Sequence, residues 1–132
     1  MSVRPHLAEE RGSSPVEFVL VGALLTALIL AVLQVAFAIY VRNVVHDAAV
    51  EGAHYAALAD TTHAEGAERT RAVITRAVGA DFADDIRIGA DRSLGHPSVV
   101  VRVRATLPVL GLVGIPLGME VEARAPLESF DD

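Results

Sequence analysis

Arg11-Gly12-Ser13-Ser14-Pro15-Val16-Glu17-Phe18 carries a short charged head straight into a long apolar segment, and Glu17 stands alone at its threshold. A carboxylate at the edge of hydrocarbon is costly unless it is capped, paired or used. From Phe18 to Val41 no residue is charged, and the polar side chains are Thr26, Gln34 and Tyr40. As a helix rising about 1.5 Å per residue the segment spans roughly 36 Å, enough for a hydrocarbon core of about 30 Å. It reads as a single transmembrane helix.

The rest of the chain sets the bounds around that helix. Of 132 residues, 52% are hydrophobic, and the excess is concentrated in the one segment. Arg4 and Arg11 precede the span, with the amino terminus, while Arg42 closely follows it. The bias places the N-terminus in the cytoplasm and the C-terminal region outside it. Eleven basic residues against seventeen acidic ones give a net charge of -6 with no basic run, which argues against nucleic acid. Without cysteine there are no disulfides, iron–sulfur clusters or cysteine zinc sites. Every basic residue is Arg.

Glu17 has two readings. Ser14-Pro15-Val16-Glu17 fits a capping box, with Ser14 and Glu17 each satisfying the other's backbone amide and Pro15 at the first helical position. The second comes from resemblance. Gly12, four residues, Glu17, Phe18 and an apolar helix resemble the processing site of type IV pilins and pseudopilins. With Tyr40-Val41-Arg42-Asn43 and Glu51-Gly52-Ala53-His54-Tyr55-Ala56, the stretch over residues 11–60 is similar to the TadE-like family of minor pseudopilins from tight-adherence (Flp-type) pilus systems. Pro15 stands where that family usually has a small helix former, and Ser13 where it usually has Phe.

The resemblance implies a cut by a prepilin peptidase between Gly12 and Ser13. Glu17 would then be the fifth residue of the mature subunit, and Glu17 and Phe18 would form the assembly and register site. The partner implied for Glu17 is the new α-amino group of a neighbouring subunit, since an unpaired charge in an apolar filament core is strongly destabilising. The expected partners are the peptidase, other pilin or pseudopilin subunits, the pilus assembly platform and the lipid bilayer. The expected location is the cell membrane, single-pass, with the cell surface after assembly.

Small residues mark packing faces. Ala23, Ala27 and Ala31 recur every fourth position beside Gly22, a stripe that lets helices approach closely in lipid. Gln34 is the one strongly polar side chain of the span. Helical period continues past Arg42, and Ala48, Gly52 and Ala56 form a second ridge against which a sheet or helix could lie. The helix is expected over Ser14–Ala59. Thr62-His63-Ala64-Glu65 is a further capping box, opening a second helix to about Val78 with Gly79 as its stop and Ala67, Val73, Ile74, Ala77 and Val78 on its buried face.

The last third changes period. Ile86–Ile88, Val99–Ala105 and Met119–Ala125 alternate as strands, with Gly89 through Pro97 as a turn and Leu107 through Gly118 as an apolar loop. Arg102 and Arg104 are expected opposite Glu120 and Glu122. The fold class is therefore an α+β membrane protein: a long N-terminal transmembrane helix continuing outside the bilayer, a second short helix and a small three-stranded antiparallel sheet, pilin-like in layout. The divisions are 1–12 leader, 13–60 helix and 61–132 extracytoplasmic α+β domain.

No reaction is supported. His46, Asp47, Glu51 and His54 lie within two turns but lack the HExxH spacing, and Asp81, Asp84, Asp85 and Asp91 do not fit a calcium loop. No cofactor or metal is expected. Three functions compete: a minor pseudopilin with Ser13 as its first mature residue, an uncleaved membrane anchor presenting an interaction domain, or a protein released after Ala36-Phe37-Ala38. The first is preferred, because the apolar run before Ala38 exceeds the usual length of a secretory signal.

Overall fold

The computed structural model describes residues 13–107 and 115–128. Helix α1 runs without a break from Ser13 to Ala57, 45 residues and roughly 68 Å long. It begins at Ser13, so Ser14 is already helical. A cap must keep non-helical backbone angles, and among the described residues no hydrogen bond joins Ser14 to Glu17. The capping box expected at Ser14 is therefore not what starts this helix.

At its other end α1 stops two residues short of the expected Ala59. Thr61 Oγ1 donates to the carbonyls of Tyr55 at 2.5 Å and Leu58 at 3.0 Å, and the Thr61 amide also reaches Leu58. These bonds satisfy carbonyls that another helical turn would have used. The chain reverses and enters α2, His63–Ala77. Here the sequence signal is realised in full: Thr62 Oγ1 accepts from the Glu65 amide, and the Thr62 amide donates to Glu65 Oε2 at 2.7 Å. The Val78 and Gly79 amides close the helix on the Ile74 carbonyl, and Gly79 takes a positive φ of 110°.

A 3-10 turn at Ala80–Phe82 leads to three antiparallel strands in meander order, β1 (Asp85–Asp91), β2 (Ser98–Leu107) and β3 (Ile115–Pro126). β1 outruns the expected Ile88, because Gly89, Ala90 and Asp91 pair with Val100, Val99 and Ser98. The true turn is shorter. Asp91 accepts from the Ser93 amide at 2.9 Å and the Ser93 hydroxyl at 2.8 Å, and Gly95 supplies a φ of 84°.

The expected loop from Leu107 to Gly118 is also narrower, since Leu107 pairs with Ile115 and β3 includes residues 115–118. Pro116 is accommodated because β3 is an edge strand with a register irregularity at this point. Residues 108–114 of that loop lie outside the described ones.

One face of the sheet lies on the second half of α1. Val99, Val101, Val103 and Ala105 of β2, with Met119, Val121, Ala123 and Ala125 of β3, meet Val41, Val45, Ala48, Ala49, Ala53 and Ala56 in one buried cluster. α2 adds Ile74, and Ile86 and Ile88 of β1 pack at its margin. The small α1 side chains let the sheet sit close to the helix axis.

Candidate assembly site

The first half of α1 takes no part in that core. From Ser13 to Tyr40 every residue is exposed except Gln34 and Ala38, which are half-buried. Phe18 is 79% exposed, and Leu20, Leu24, Leu28 and Val32 also stand clear of the rest of the chain. This segment is long and apolar enough to cross a membrane.

Glu17 is exposed and, among the described residues, has neither a hydrogen bond nor an ion pair. Ser13 is the first helical residue, while Gly12, the other half of the expected cleavage site, lies outside the described residues. Ala23, Ala27 and Ala31 are exposed. Nothing approaches the position a Gly22 Cβ would take, and Thr26 turns its hydroxyl back to the Gly22 carbonyl at 2.8 Å. In this part of the span the Thr26 hydroxyl is thus internally satisfied, while the Glu17 carboxylate is exposed.

The second small-residue ridge is placed differently. Ala48, Gly52 and Ala56 are buried, and at Gly52 α1 meets Gly66 and Thr70 of α2. A Cβ at Gly52 would strike Thr70 Oγ1 and stand 2.9 Å from the Gly66 carbonyl, and one at Gly66 would lie 2.5 Å from the Ala56 Cβ. Thr70 is fully buried and disposes of its hydroxyl on the Gly66 carbonyl at 2.9 Å. Beside the crossing, Arg69 closes on Glu51 at 2.5 Å.

Gly66, Arg69 and Thr70 were not singled out from sequence. Gly66, Thr70 and Ile74 repeat every fourth residue, a pattern that an apolar count overlooks because two of the three are small or polar. Ala77, expected on the buried face, is exposed.

On the sheet's outer face the register sets Arg102 against Glu122 and Arg104 against Glu120. Arg102 reaches Glu122 at 2.6 Å, Arg104 reaches Glu120 at 2.8 Å, and Arg124 links Glu122 at 2.7 Å to Asp91 at 2.5 Å. Hydrogen bonds from Arg102 and then Arg124 hold the Glu122 carboxyl below its usual range. Asp91 is lowered chiefly by the Ser93 amide and hydroxyl. This is a solvated charge ladder.

The helical His and acid cluster is dispersed among other partners. His46 Nδ1 lies 3.9 Å from Asp47, Glu51 belongs to Arg69, and His54 Nδ1 sits 2.8 Å from the Val50 carbonyl.

These features define a class first: an apolar rod with an acid at its exposed end, carrying a small sheet domain on its other half. Within that class, residues 12–54 match the family model of TadE-like proteins, a match that starts at Gly12 and covers all but the last three residues of the rod, about a third of the chain. The family is one of pilus-associated structural proteins. No curated protein and no solved structure matches the chain.

Proposed function

We propose that this chain is a TadE-like minor pseudopilin, a structural subunit in the assembly of a tight-adherence (Flp-type) pilus or related secretion filament. A prepilin peptidase trims it after Gly12, and the released Ser13 heads the mature rod. The observation that carries the reading is Glu17, exposed and without an ion pair or hydrogen bond among the described residues, at the head of a segment that is uncharged from Phe18 to Val41, inside the stretch that matches the family model. A single carboxylate there finds compensation when a neighbouring subunit brings its own new α-amino group alongside. Glu17 and Phe18 then set axial register, while the Ala23, Ala27 and Ala31 stripe lets apolar helices pack closely. The subunit is inserted with its N-terminus in the cytoplasm and the sheet domain outside. Its role is structural rather than enzymatic.

The decisive experiment is mass spectrometry of the N-terminus of protein taken from cells that contain the peptidase. A first residue of Ser13 supports the reading. A chain beginning at Met1 or Ser2 would make it an uncleaved anchor, and one beginning at Ile39 a released protein. In the same cells Gly12→Leu should accumulate the longer form in the membrane.

A further inference from the structure

Arg42 is the first charge after the uncharged run from Phe18 to Val41. Unlike Arg102, Arg104 and Arg124 of the sheet, it has no ion pair among the described residues. The run measures roughly 36 Å as helix against a hydrocarbon core of about 30 Å, so a centred span leaves Arg42 just outside the core. His46 stands one turn further on, roughly 6 Å, and a headgroup layer is itself only about 5–7 Å deep. Arg42, Asn43 and His46 therefore occupy that layer.

β3 brings a second wall to the same level. At the far end the Glu128 amide donates to the Ala57 carbonyl at 3.1 Å, so β3 runs alongside α1 in the same direction and Glu120 stands at its bilayer end. A groove of about 460 Å³ separates the two elements, lined by Arg42, Asn43 and His46 of α1 and by Glu120, Val121 and Glu122 of β3. Its walls are opposite in charge, yet they do not close on each other. Glu120 turns to Arg104 at 2.8 Å, and Glu122 to Arg102 at 2.6 Å and Arg124 at 2.7 Å. A carboxylate has about four acceptor positions, so both glutamates keep capacity toward the groove.

We propose that this groove seats the headgroup of an ethanolamine phospholipid, with its phosphate against Arg42, Asn43 and His46 and its ammonium against Glu120 and Glu122. The inference rests on α1 spanning the membrane and is independent of processing at Gly12. A guanidinium offers phosphate oxygens a planar fork of donors, and the Asn43 amide and a His46 ring N–H add to it. The ammonium has three N–H donors for the glutamates, whereas the quaternary nitrogen of choline has none. A headgroup of net negative charge would bring the acidic wall no cation. Membrane lipid is favoured over a soluble phosphoester because Ile39 and Val35, one and two turns before Asn43, are exposed and continue its face toward the bilayer core. Acyl chains have an apolar surface to follow there. A headgroup held by α1 and β3 together would fix how the sheet domain sits on the membrane.

The test offers full-length protein in detergent micelles equal amounts of phosphatidylethanolamine, phosphatidylcholine and phosphatidylglycerol, and counts retained lipid by native mass spectrometry. Wild type should keep one phosphatidylethanolamine about tenfold better than either competitor, the weight of one charge-assisted hydrogen bond. Arg42→Gln should abolish that preference, and Arg92→Gln in the distal β1–β2 turn should leave it unchanged. Glu120→Gln should bring phosphatidylethanolamine and phosphatidylcholine closer together. Equal retention of the three lipids by wild type overturns the proposal and makes Arg42 a plain interfacial anchor. A preference for phosphatidylglycerol overturns it as well, since the acidic wall then selects nothing. Displacement of the lipid by an equal concentration of soluble glycerophosphoethanolamine overturns the membrane source. Protein that stays soluble without detergent and keeps no lipid overturns the span itself, and the proposal with it. None of these outcomes bears on which residue begins the mature chain.

Discussion

Glu17 and Gly52 share one helix and answer to different surroundings. Glu17 faces outward with no partner among the described residues, so its removal should leave the folded subunit unchanged and act only on assembly. Glu17→Ala should be trimmed normally, keep the thermal midpoint of wild type and fail to co-purify with partner pilins. Co-purification at wild-type levels would reduce Glu17 to a local helix feature. Gly52 has the reverse profile. A methyl group there meets Thr70 Oγ1 and the Gly66 carbonyl, both packed and unable to retreat cheaply. Gly52→Ala should therefore destabilise the domain by about 1–3 kcal/mol, the usual range for overfilling a packed interior. Circular dichroism melts in detergent read the loss directly. Gly22→Ala, where nothing lies near the added carbon, is the matched control and should not lower the midpoint.

At the scale of elements, α2 owes its start to local chemistry and its place to packing. Thr62 and Glu65 satisfy each other's backbone amides, so Thr62→Ala should cost about 1 kcal/mol. Faster amide exchange through the first turn of α2, with the strands unchanged, would locate that loss. Ile74 is the largest fully buried side chain of the helix, and Ile74→Ala should cost about 2–5 kcal/mol. A cost below 1 kcal/mol would mean that the α2 face contributes little to the core. The capping box was legible because its bonds join residues three apart. The Gly66–Thr70–Ile74 stripe was not, since its value depends on Gly52 and Ala56 arriving from another helix. The strand ends were hidden for a related reason: Gly89–Asp91 and residues 115–118 have weak strand character and pair because their neighbours already do.

For the whole molecule, the ladder on the outer sheet face links stability to pH. Glu122 and Asp91 are both held below the ordinary values of 4.5 and 3.8. A lowered carboxyl stabilises the fold above its unfolded value and ceases to do so as pH falls through the folded one. The thermal midpoint should thus hold from neutrality down to the ordinary carboxylate range and decline below it. Because these groups are solvated, added salt should soften the decline. Glu122→Gln should soften it too, and an equal decline in that variant would place the sensitive carboxyl elsewhere. The sequence alone determined the rod, its uncharged length, the lone acid at its head, the capping box of α2 and the alternation of three strands. These depend on composition, spacing and bonds between near neighbours. Only the tertiary structure decided which half of the rod is covered, that Gly52 meets Gly66, and that Glu120 and Glu122 of β3 come beside Arg42 of α1. Those facts require segments far apart in sequence to share one core, and no local pattern encodes the direction in which a strand runs along a helix.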